Sequence, residues 1–526
     1  MANRAGENLA FLRDKMGADK MFGKIAFAGA LACLCAMAGA HLGAQDLQKL
    51  KHVASVDSST SAESSTSAKY AASAKSGEIV ESSVPKQRGK IFARAHSLQL
   101  IMAGDALLHT AVFKDAEELA KSLNKAKAES SKIDSNASNT ESTKAESKGA
   151  ESKKVDSGNA ESSASNAESS TNATTPAYYF DPMFDNISHF IKRADLAFYN
   201  QETILGGSAL GLSSYPAFNS PQEFGDTMLR LGFRLVSLAN NHTLDRGEKG
   251  VRAMLEYWHA KERAHSDLCI AGSYESANDR AKSRIYEKNG ISYAMLAYTY
   301  GTNGIKIPEG KDYLVNVYTK QMLQDDIAAL RDKVDLLIAS MHWGVEYSFV
   351  PSKEQREFAA FLASLGVDII IGNHPHVIQP IERIGDTLVI YSLGNFISGQ
   401  KGTNKRIGML ASVRVSLLSA KELKRKAKEM KKAEKERAQG LNKGEADKNS
   451  GAQEAGAQAN EKSTFLHRVR LDDVRAELIY TQYDSNMRNF KLYPLRKVDD
   501  KILPESKKIY KEYTKIIDND LVKIGL

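Results

Sequence analysis

The chain has 526 residues, of which 42% are hydrophobic and 26% charged, and its formal net charge is +8. The apolar fraction is sufficient for a buried core, which excludes a wholly disordered or collagen-like chain. Three cysteines in this length exclude a disulfide scaffold and a cysteine-rich zinc module.

The N-terminal segment over residues 21–44 predicts a signal peptide or membrane anchor. Ile25–Ala40 contains 16 uncharged small or apolar residues, follows Lys20 and Lys24, and ends in an Ala-Gly-Ala sequence suited to cleavage. An uncleaved anchor is an alternative, because 16 residues fall only slightly short of a membrane span. Cys33 is also placed for lipid attachment, as in a lipoprotein. We therefore expect an exported protein, periplasmic or anchored to the outer side of the cytoplasmic membrane.

Three tracts rich in serine, alanine and lysine predict disorder, because such compositions cannot bury enough apolar surface to offset the entropy of ordering. They are a linker over residues 45–85 and two insertions, over residues 121–175 and 421–463. The last tract begins with Lys421–Gly440, where nine basic and four acidic residues supply +5 of the net charge. This segment is predicted as a solvated helix, or as a helix that touches anionic lipid or a polyanion.

The rest of residues 86–526 is predicted as one α/β domain. Apolar strand-like runs end at Asp105, Glu202, His242, His342, His376 and Asn395, and helical segments separate them. Ser220-Pro221 predicts one helix N-terminus, and Ser352 followed by Gln355 predicts another. Strands that alternate with helices indicate a sheet covered on both faces, with functional residues at the carboxyl ends of the strands. Residues 464–526 are predicted as two strands and a helix that complete the same domain.

Polar side chains at these strand ends form a candidate metal-ligand set. Its members are Asp105, Glu202, Asn241, His342, His374 and His376, with His242 next to Asn241. Carboxylate, amide and imidazole groups are the ligands of borderline divalent ions such as manganese, iron, zinc and cobalt. Each residue alone has a simpler explanation: Asn241 could lie in a turn, and Asp105 could cap a helix. Their joint placement at strand ends favours a metal site.

Six motifs carry a resemblance to a known family: MAGDALLH, ADLAFYNQETIL, VSLANNHTLDRGEKG, HWGVEY, IIIGNHPHVIQPIE and VIYSLGNFI. In this order they resemble the CapA-like capsule (poly-γ-glutamate) biosynthesis family, a branch of the calcineurin-like metallophosphoesterase superfamily. The resemblance covers residues 91–407 and implies a four-layer α/β/β/α sandwich, here carrying the low-complexity insertions. It also implies two divalent transition-metal ions at the strand ends.

The resemblance assigns roles to individual residues. It implies metal ligation by the six residues of the candidate set, with Glu202 as the bridging carboxylate, and catalytic roles for Asn241 and His242. Arg246 and Glu346 are candidate substrate-binding residues, or members of ordinary salt bridges. Two positions depart from the superfamily pattern, because no histidine stands two residues after Asp105 and the second motif lacks a Gly-Asp pair.

Two hypotheses for function follow. The first is a metal-dependent hydrolase or transferase that acts on a phosphoester or a polymer in capsule or poly-γ-glutamate synthesis. The second is a non-catalytic accessory protein of surface-polymer synthesis and export. The expected partners are a membrane surface or a membrane-bound polymer synthesis complex, with a polyanionic polymer as a further candidate. Nucleic acid is not expected, because the basic segment lacks interleaved aromatic residues.

Overall fold

The computed structural model describes residues 96–141, 176–444 and 465–526. Residues Ile91–Leu526 form one compact unit. The predicted signal segment, the linker over residues 45–85, and the predicted disorder of residues 142–175 and 445–463 lie outside the described residues. Within the described residues, no helix combines the length and apolarity needed to cross a membrane.

Strands and helices alternate along much of the chain, as the sequence predicts, but the four strands between residues 369 and 398 follow one another without a helix. The strands are β1 (Ser97–Leu107), β2 (Leu196–Asn200), β3 (Leu235–Ser237), β4 (Cys269–Ala271), β5 (Tyr286–Lys288), β6 (Ile291–Thr299), β7 (Leu336–His342), β8 (Ile369–Asn373), β9 (Ile381–Ile384), β10 (Thr387–Ile390), β11 (Asn395–Ser398), β12 (Ile407–Leu417), β13 (Val469–Gln482), β14 (Lys491–Pro494) and β15 (Lys523–Ile524). The helices are α1 (Thr110–Glu141), α2 (Ser188–Lys192), α3 (Glu223–Leu231), α4 (Gly247–Ala264), α5 (Ala277–Arg280), α6 (Lys320–Leu330), α7 (Lys353–Ser364), α8 (Thr403–Arg406), α9 (Ala420–Gly444) and α10 (Ser506–Ile517).

The strands form two sheets. The first has nine strands in the order β14-β13-β12-β1-β2-β3-β4, with β11 paired to β1 and β15 paired to β13. The second has six strands in the order β5-β6-β7-β8-β10-β9. Strands β1 to β4 of the first sheet are parallel, as are β6, β7, β8 and β10 of the second. The carboxyl ends of the parallel strands therefore share one edge in each sheet.

The two sheets pack against each other, and helices cover their outer faces. Ile338 and Ile371 of the second sheet belong to the same buried cluster as the first sheet. Their neighbours Leu337 and Ile370 instead pack with residues of α6 and α7. Successive side chains of a strand point to opposite faces, so the second sheet is covered on both sides. Helices α3 and α4 pack on the first sheet through residues such as Trp258. This arrangement is the predicted α/β/β/α sandwich.

The two predicted helix N-termini have different outcomes. Ser352 and Gln355 form a capping box at α7, each side chain bonding the other residue's backbone N–H, as predicted. The Ser220-Pro221 prediction is wrong by two residues, because α3 begins at Glu223 with no side-chain cap. The Ser220 hydroxyl instead donates to Thr203 Oγ1 at 3.0 Å, in the buried segment that follows β2.

A crossing between the sheets lies in the run LVIYSLGNF, which the sequence analysis treats as one strand. The structure divides it into β10, which pairs with β8 in the second sheet, and β11, which pairs with β1 in the first. Gly394 lies at the crossing with a φ of 65°, a left-handed conformation that favours glycine. Its carbonyl oxygen accepts a hydrogen bond from Asp105 N at 3.0 Å, so the crossing is fixed directly to the first strand.

Both low-complexity insertions begin as helices and leave the domain at closed stems. Helix α1 extends through the start of the tract at residues 121–175, and α9 through the start of the tract at residues 421–463. Tyr179 N donates to Ala116 O at 2.9 Å, beyond either end of the first tract. Leu418 N donates to Arg468 O at 2.9 Å, beyond either end of the second. The chain therefore returns to within hydrogen-bond distance of the place where it leaves.

A buried charged network joins the C-terminal segment to the second sheet. Asp368 accepts from Arg331 Nη1 at 2.5 Å and from Leu337 N at 2.7 Å. His467 Nδ1 lies 2.6 Å from the other oxygen of the Asp368 carboxylate. Asp368 and His467 are at most 1% exposed and Arg331 is 3% exposed, so removal of one partner leaves an uncompensated buried charge.

We expect Asp368→Ala to destabilise the folded chain by about 3–5 kcal/mol, the usual cost of breaking a buried ion pair from one side. Urea unfolding followed by circular dichroism measures the loss. Asp386→Ala is the matched control, because Asp386 pairs with Lys426 at 2.8 Å with about half of its side chain exposed. The control should change stability by less than about 1 kcal/mol. Equal effects of the two substitutions would contradict a stabilising role for the buried network.

Candidate metal centre

The carboxyl ends of strands from both sheets bring five of the predicted ligands together. Asp105 lies in β1, and Glu202 follows the end of β2. His342 is the last residue of β7, and His374 and His376 follow β8. All five side chains are at most 4% exposed. The first sheet thus supplies the carboxylates and the second sheet the imidazoles.

The five residues form two overlapping groups. Asp105, Glu202 and His376 each offer a ligand atom within 4.8 Å of the others, and so do Glu202, His342 and His374. Glu202 belongs to both groups. Its Oε1 lies 3.6 Å from His342 Nε2 and 3.6 Å from His376 Nε2. Such separations are those of ligands that each lie about 2.1 Å from a common ion.

The hydrogen bonding of Glu202 tests whether this centre suits a cation. Both carboxylate oxygens are buried and have no hydrogen-bond partner among the described residues, and the same is true of His374 Nδ1. A buried carboxylate without donors is strongly destabilising unless a cation compensates its charge. The residues present therefore fit a metal ion.

The surroundings of Asp105 aim its carboxylate at the same point. Asn200 Nδ2 donates to one oxygen at 2.8 Å, and the backbone N–H of His374 donates to the other at 3.1 Å. His376 Nδ1 lies 3.4 Å from that second oxygen and 3.1 Å from Asn395 Oδ1. These contacts link β1, β2 and the loop after β8 into one network.

The histidines differ in their electrostatic environment. Burial lowers the pKa of His342 well below its usual range and lowers the pKa of His374 to about 3, so both are neutral and able to bind a metal. Burial also acts to lower the pKa of His376, but the negative charges of Glu202 and Asp105 raise it to about 9. Burial raises the pKa of Glu202, and the charge of Asp105 adds to this increase. The two carboxylates thus create a potential that favours a cation.

The turn that carries His374 and His376 has an unusual backbone. Their φ angles are 97° and 57°, in the left-handed region that residues other than glycine rarely adopt. Backbone strain of this kind persists where the surrounding structure holds it in place, and it is concentrated at functional sites. Tyr347 N donates to Pro375 O at 2.7 Å and so holds the middle of the turn.

Asn241 and His242 lie next to the five candidate ligands. Asn241 Oδ1 lies 2.8 Å from His342 Nε2, which places this amide oxygen at the edge of the second ligand group. His242 belongs to neither group of ligands. Its Nδ1 lies 2.8 Å from Asp245 Oδ2, a carboxylate that also accepts from the backbone N–H of Phe218. This contact leaves Nε2 of His242 for other partners.

The two predicted substrate-binding residues have different surroundings. Arg246 donates to the carbonyl oxygens of Leu210 and Gly211 and to Ser213 Oγ, at 2.8–2.9 Å, and so holds the loop after β2. Glu346 is exposed, and its carboxylate lies within 4.8 Å of ring nitrogens of His374 and His376. Glu346 therefore stands at the mouth of the centre. Contact of either residue with substrate remains a prediction.

The structure adds residues that the sequence analysis did not assign. Asp245 orients His242, and its position three residues after that histidine in NNHTLD was a readable signal. His109 is half-buried, and its ring packs edge-on against Phe218, which also packs edge-on against His242. Burial lowers the pKa of His109 to about 4, with further contributions from nearby histidines of the centre. No periodicity or spacing in the sequence predicts this aromatic contact.

The fold and the site together define the class. A four-layer α/β/β/α sandwich with carboxylates and imidazoles gathered at the strand ends is the fold and candidate site that the resemblance to the metallophosphoesterase superfamily implies. The sequence model of the bacterial capsule synthesis protein family PGA_cap matches residues 99–400, and the chain belongs to this family.

Two curated relatives come from Bacillus. The PGA biosynthesis protein CapA of Bacillus subtilis is 34% identical over 184 residues, which are 34% of this chain and 45% of that protein. The capsule biosynthesis protein CapA of Bacillus anthracis is 32% identical over 182 residues, or 33% and 42% of the two chains. The chain thus spans less than half the length of these relatives. A phosphatase structure from Mycoplasma pneumoniae aligns at 14% identity over 61% of this chain and 89% of that one, with a TM-score of 0.29.

We expect Glu202→Gln to remove metal binding, because Glu202 is shared by both ligand groups. Elemental analysis of desalted protein should find transition metal in the wild type and little in the variant. Added Mn²⁺ or Zn²⁺ should raise the Tm of the wild type alone, since a ligand at a hundredfold excess over its Kd stabilises the folded state by about 2.7 kcal/mol.

The matched control is Glu357→Gln, a substitution of a 60% exposed carboxylate on α7. It should keep the metal content and the Tm response of the wild type. Equal metal content in wild type and Glu202→Gln would contradict the assignment of Glu202.

Proposed function

We propose that this chain is a metal-dependent hydrolase or transferase that acts on a phosphoester or a polymer in capsule or poly-γ-glutamate synthesis. The observation that carries the proposal is the pair of ligand groups that share the buried, unpaired carboxylate of Glu202. A carboxylate that reaches two groups suits two divalent ions, of manganese, iron, zinc or cobalt. The names of the two Bacillus relatives, a PGA biosynthesis protein and a capsule biosynthesis protein, support a role in polymer synthesis.

Bound ions would supply Lewis-acid stabilisation of the negative charge that develops in a displacement. The chain's own contribution to the chemistry lies in His242 and its neighbours. The Nδ1–H group of His242 donates a hydrogen bond to the Asp245 carboxylate. This hydrogen bond favours the tautomer in which Nε2 carries a free lone pair. Held in this way, Nε2 can take a proton from a substrate oxygen or a nucleophile and return that proton to a leaving oxygen in a later step. The side-chain oxygen of Asn241, the residue before His242, lies 2.8 Å from His342 Nε2.

We expect His242→Ala to retain metal and to lower kcat by about 10²–10⁴-fold, the usual loss for a general acid or base. The assay uses metal-loaded protein with p-nitrophenyl phosphate and with poly-γ-glutamate. Asp245→Asn should shift the pH profile of kcat while metal content stays constant. His265→Ala, at the far end of α4, is the control and should behave as the wild type. Unchanged turnover in metal-loaded His242→Ala would contradict the assigned role.

The alternative is a non-catalytic accessory protein of surface-polymer synthesis and export. It is supported by a relative from Mycobacterium tuberculosis, named a probable polyglutamine synthesis accessory protein, which is 26% identical over 201 residues, or 35% of this chain and 50% of that protein. The same variant separates the two functions in cells. The gene for the His242→Ala variant is introduced into a strain from which the wild-type gene has been deleted. Restoration of the surface polymer would favour the accessory function. Failure of the folded variant to restore the polymer would favour catalysis.

We further propose that the chain is exported and works at the outer side of the cytoplasmic membrane, next to a polymer synthesis complex. The support is the apolar segment Ile25–Ala40 with lysines before it, together with the basic helix α9. On this helix Lys424, Lys428 and Lys431 are exposed, which suits an anionic surface or polymer.

Cell fractionation and N-terminal sequencing test the export proposal. We expect the mature protein in the periplasmic or membrane fraction and beginning after Ala40, at the small-residue cleavage site. Insertion of two arginines within Ile25–Ala40 should retain the chain in the cytoplasm, because charge in the apolar region blocks recognition of the signal. A wild-type chain found only in the cytoplasm with its N-terminus intact would contradict export.

A further inference from the structure

Exposed apolar side chains are concentrated around the mouth of the metal centre. The large hydrophobic side chains that are exposed in the described residues are Tyr215, Ile285, Tyr300, Ile305, Val345, Tyr347 and Val350. All except Ile285 lie in the segments that follow β2, β6 and β7, and the ends of β2 and β7 lead to candidate ligands. Exposed apolar groups gathered at one place mark a binding surface.

Two of the tyrosines contact histidines of the centre directly. The ring centroids of Tyr300 and His374 are 4.8 Å apart, and those of Tyr347 and His376 are 6.1 Å apart. Each tyrosine is 42% exposed. Each therefore contacts a candidate ligand and still offers part of its ring to a bound molecule.

The backbone of Tyr347 is strained, and neighbouring residues contact its side chain. Its φ is 66°, a conformation that bulky residues rarely adopt. Gln400 Nε2 donates to its hydroxyl at 3.4 Å, and the ammonium of Lys405 lies 4.5 Å from its ring centroid. Local strain maintained by several contacts is typical of a ligand-binding position.

The groups around the tyrosines indicate what would bind. Lys405 supplies a positive charge beside the Tyr347 ring, and Gln400 and the exposed carboxylate of Glu346 supply hydrogen-bonding groups. Aromatic faces bind the flat apolar face of a ring, while amide and carboxylate groups bind hydroxyls.

We propose that Tyr300 and Tyr347 form a ring-stacking subsite beside the metal centre, for a saccharide ring that carries an anionic group. The sugar ring covers the tyrosines, its hydroxyls bond Gln400 and Glu346, and its anionic group lies between Lys405 and the metal ligands. This inference rests on the proposed function, since it names the class of substrate for the same site. It predicts selectivity for a phosphorylated sugar over an acyclic phosphate.

Calorimetric titration of the metal-loaded full chain tests the subsite independently of turnover. The probes are glucose 1-phosphate, glycerol 3-phosphate, adenosine monophosphate and a γ-glutamyl oligopeptide. We expect glucose 1-phosphate to bind at least tenfold more tightly than the other three. Tyr300→Ala and Tyr347→Ala should each reduce that preference by about tenfold, as expected for loss of a ring contact.

Conservative variants separate stacking from folding. Tyr300→Phe and Tyr347→Phe keep the rings and should keep most of the preference. Ile285→Ala, the control at the exposed position away from the mouth, should bind as the wild type does. Equal binding of glucose 1-phosphate and glycerol 3-phosphate, tighter binding of adenosine monophosphate or the peptide, or loss of the preference in the phenylalanine variants would each overturn the proposal.

Turnover measured on the same preparations distinguishes failure of the ring-stacking subsite from failure of the proposed hydrolase function. Selective sugar-phosphate binding without turnover of any probe would leave the subsite standing and contradict the hydrolase. Turnover with no selectivity between ring and acyclic phosphates would leave the hydrolase standing and overturn the subsite.

Discussion

The charge of the buried Glu202 carboxylate is the constraint on which the rest of the site depends. Its two oxygens lie in the interior without a hydrogen-bond donor among the described residues. An uncompensated charge in such a position costs several kcal/mol, so the fold must bring compensating groups to it from elsewhere. Imidazoles of the second sheet, on the loop after β8 and at the end of β7, approach this carboxylate and would hold a compensating cation together with it. The close packing of the two sheets is therefore also what assembles the candidate metal centre.

This requirement separates the roles of strands and loops. The strands hold ligands at positions that burial and hydrogen bonds determine, and Asp105 is fixed by donors from β2 and from the loop after β8. The segments beyond the strand ends carry groups that differ in exposure and charge, among them Glu346 in a loop and Lys405 in α8. Function that varies between relatives is expected in such loops, because a change there does not disturb the packed core.

The proximity of the candidate ligands could be predicted from the sequence because carboxyl ends of parallel strands share an edge, whatever the strand order. Asp105, Glu202 and His342 needed no more than a strand-like run and a polar residue at its end. The crossing at Gly394 could not be predicted, because an apolar run does not show which sheet each half joins. The role of Arg246 in holding the loop after β2 depends on where backbone carbonyls lie, and local sequence does not encode that position.

The closed stems of the two insertions have a consequence for how this chain can vary. Each excursion begins and ends at one backbone hydrogen bond, from Tyr179 to Ala116 and from Leu418 to Arg468. The free energy of closing such an excursion changes only with the logarithm of its length, by about 0.6 kcal/mol for each doubling. The length and composition of these tracts can therefore change without altering the domain that carries them. Natural selection can act on their charge and reach as traits separate from the chemistry of the centre.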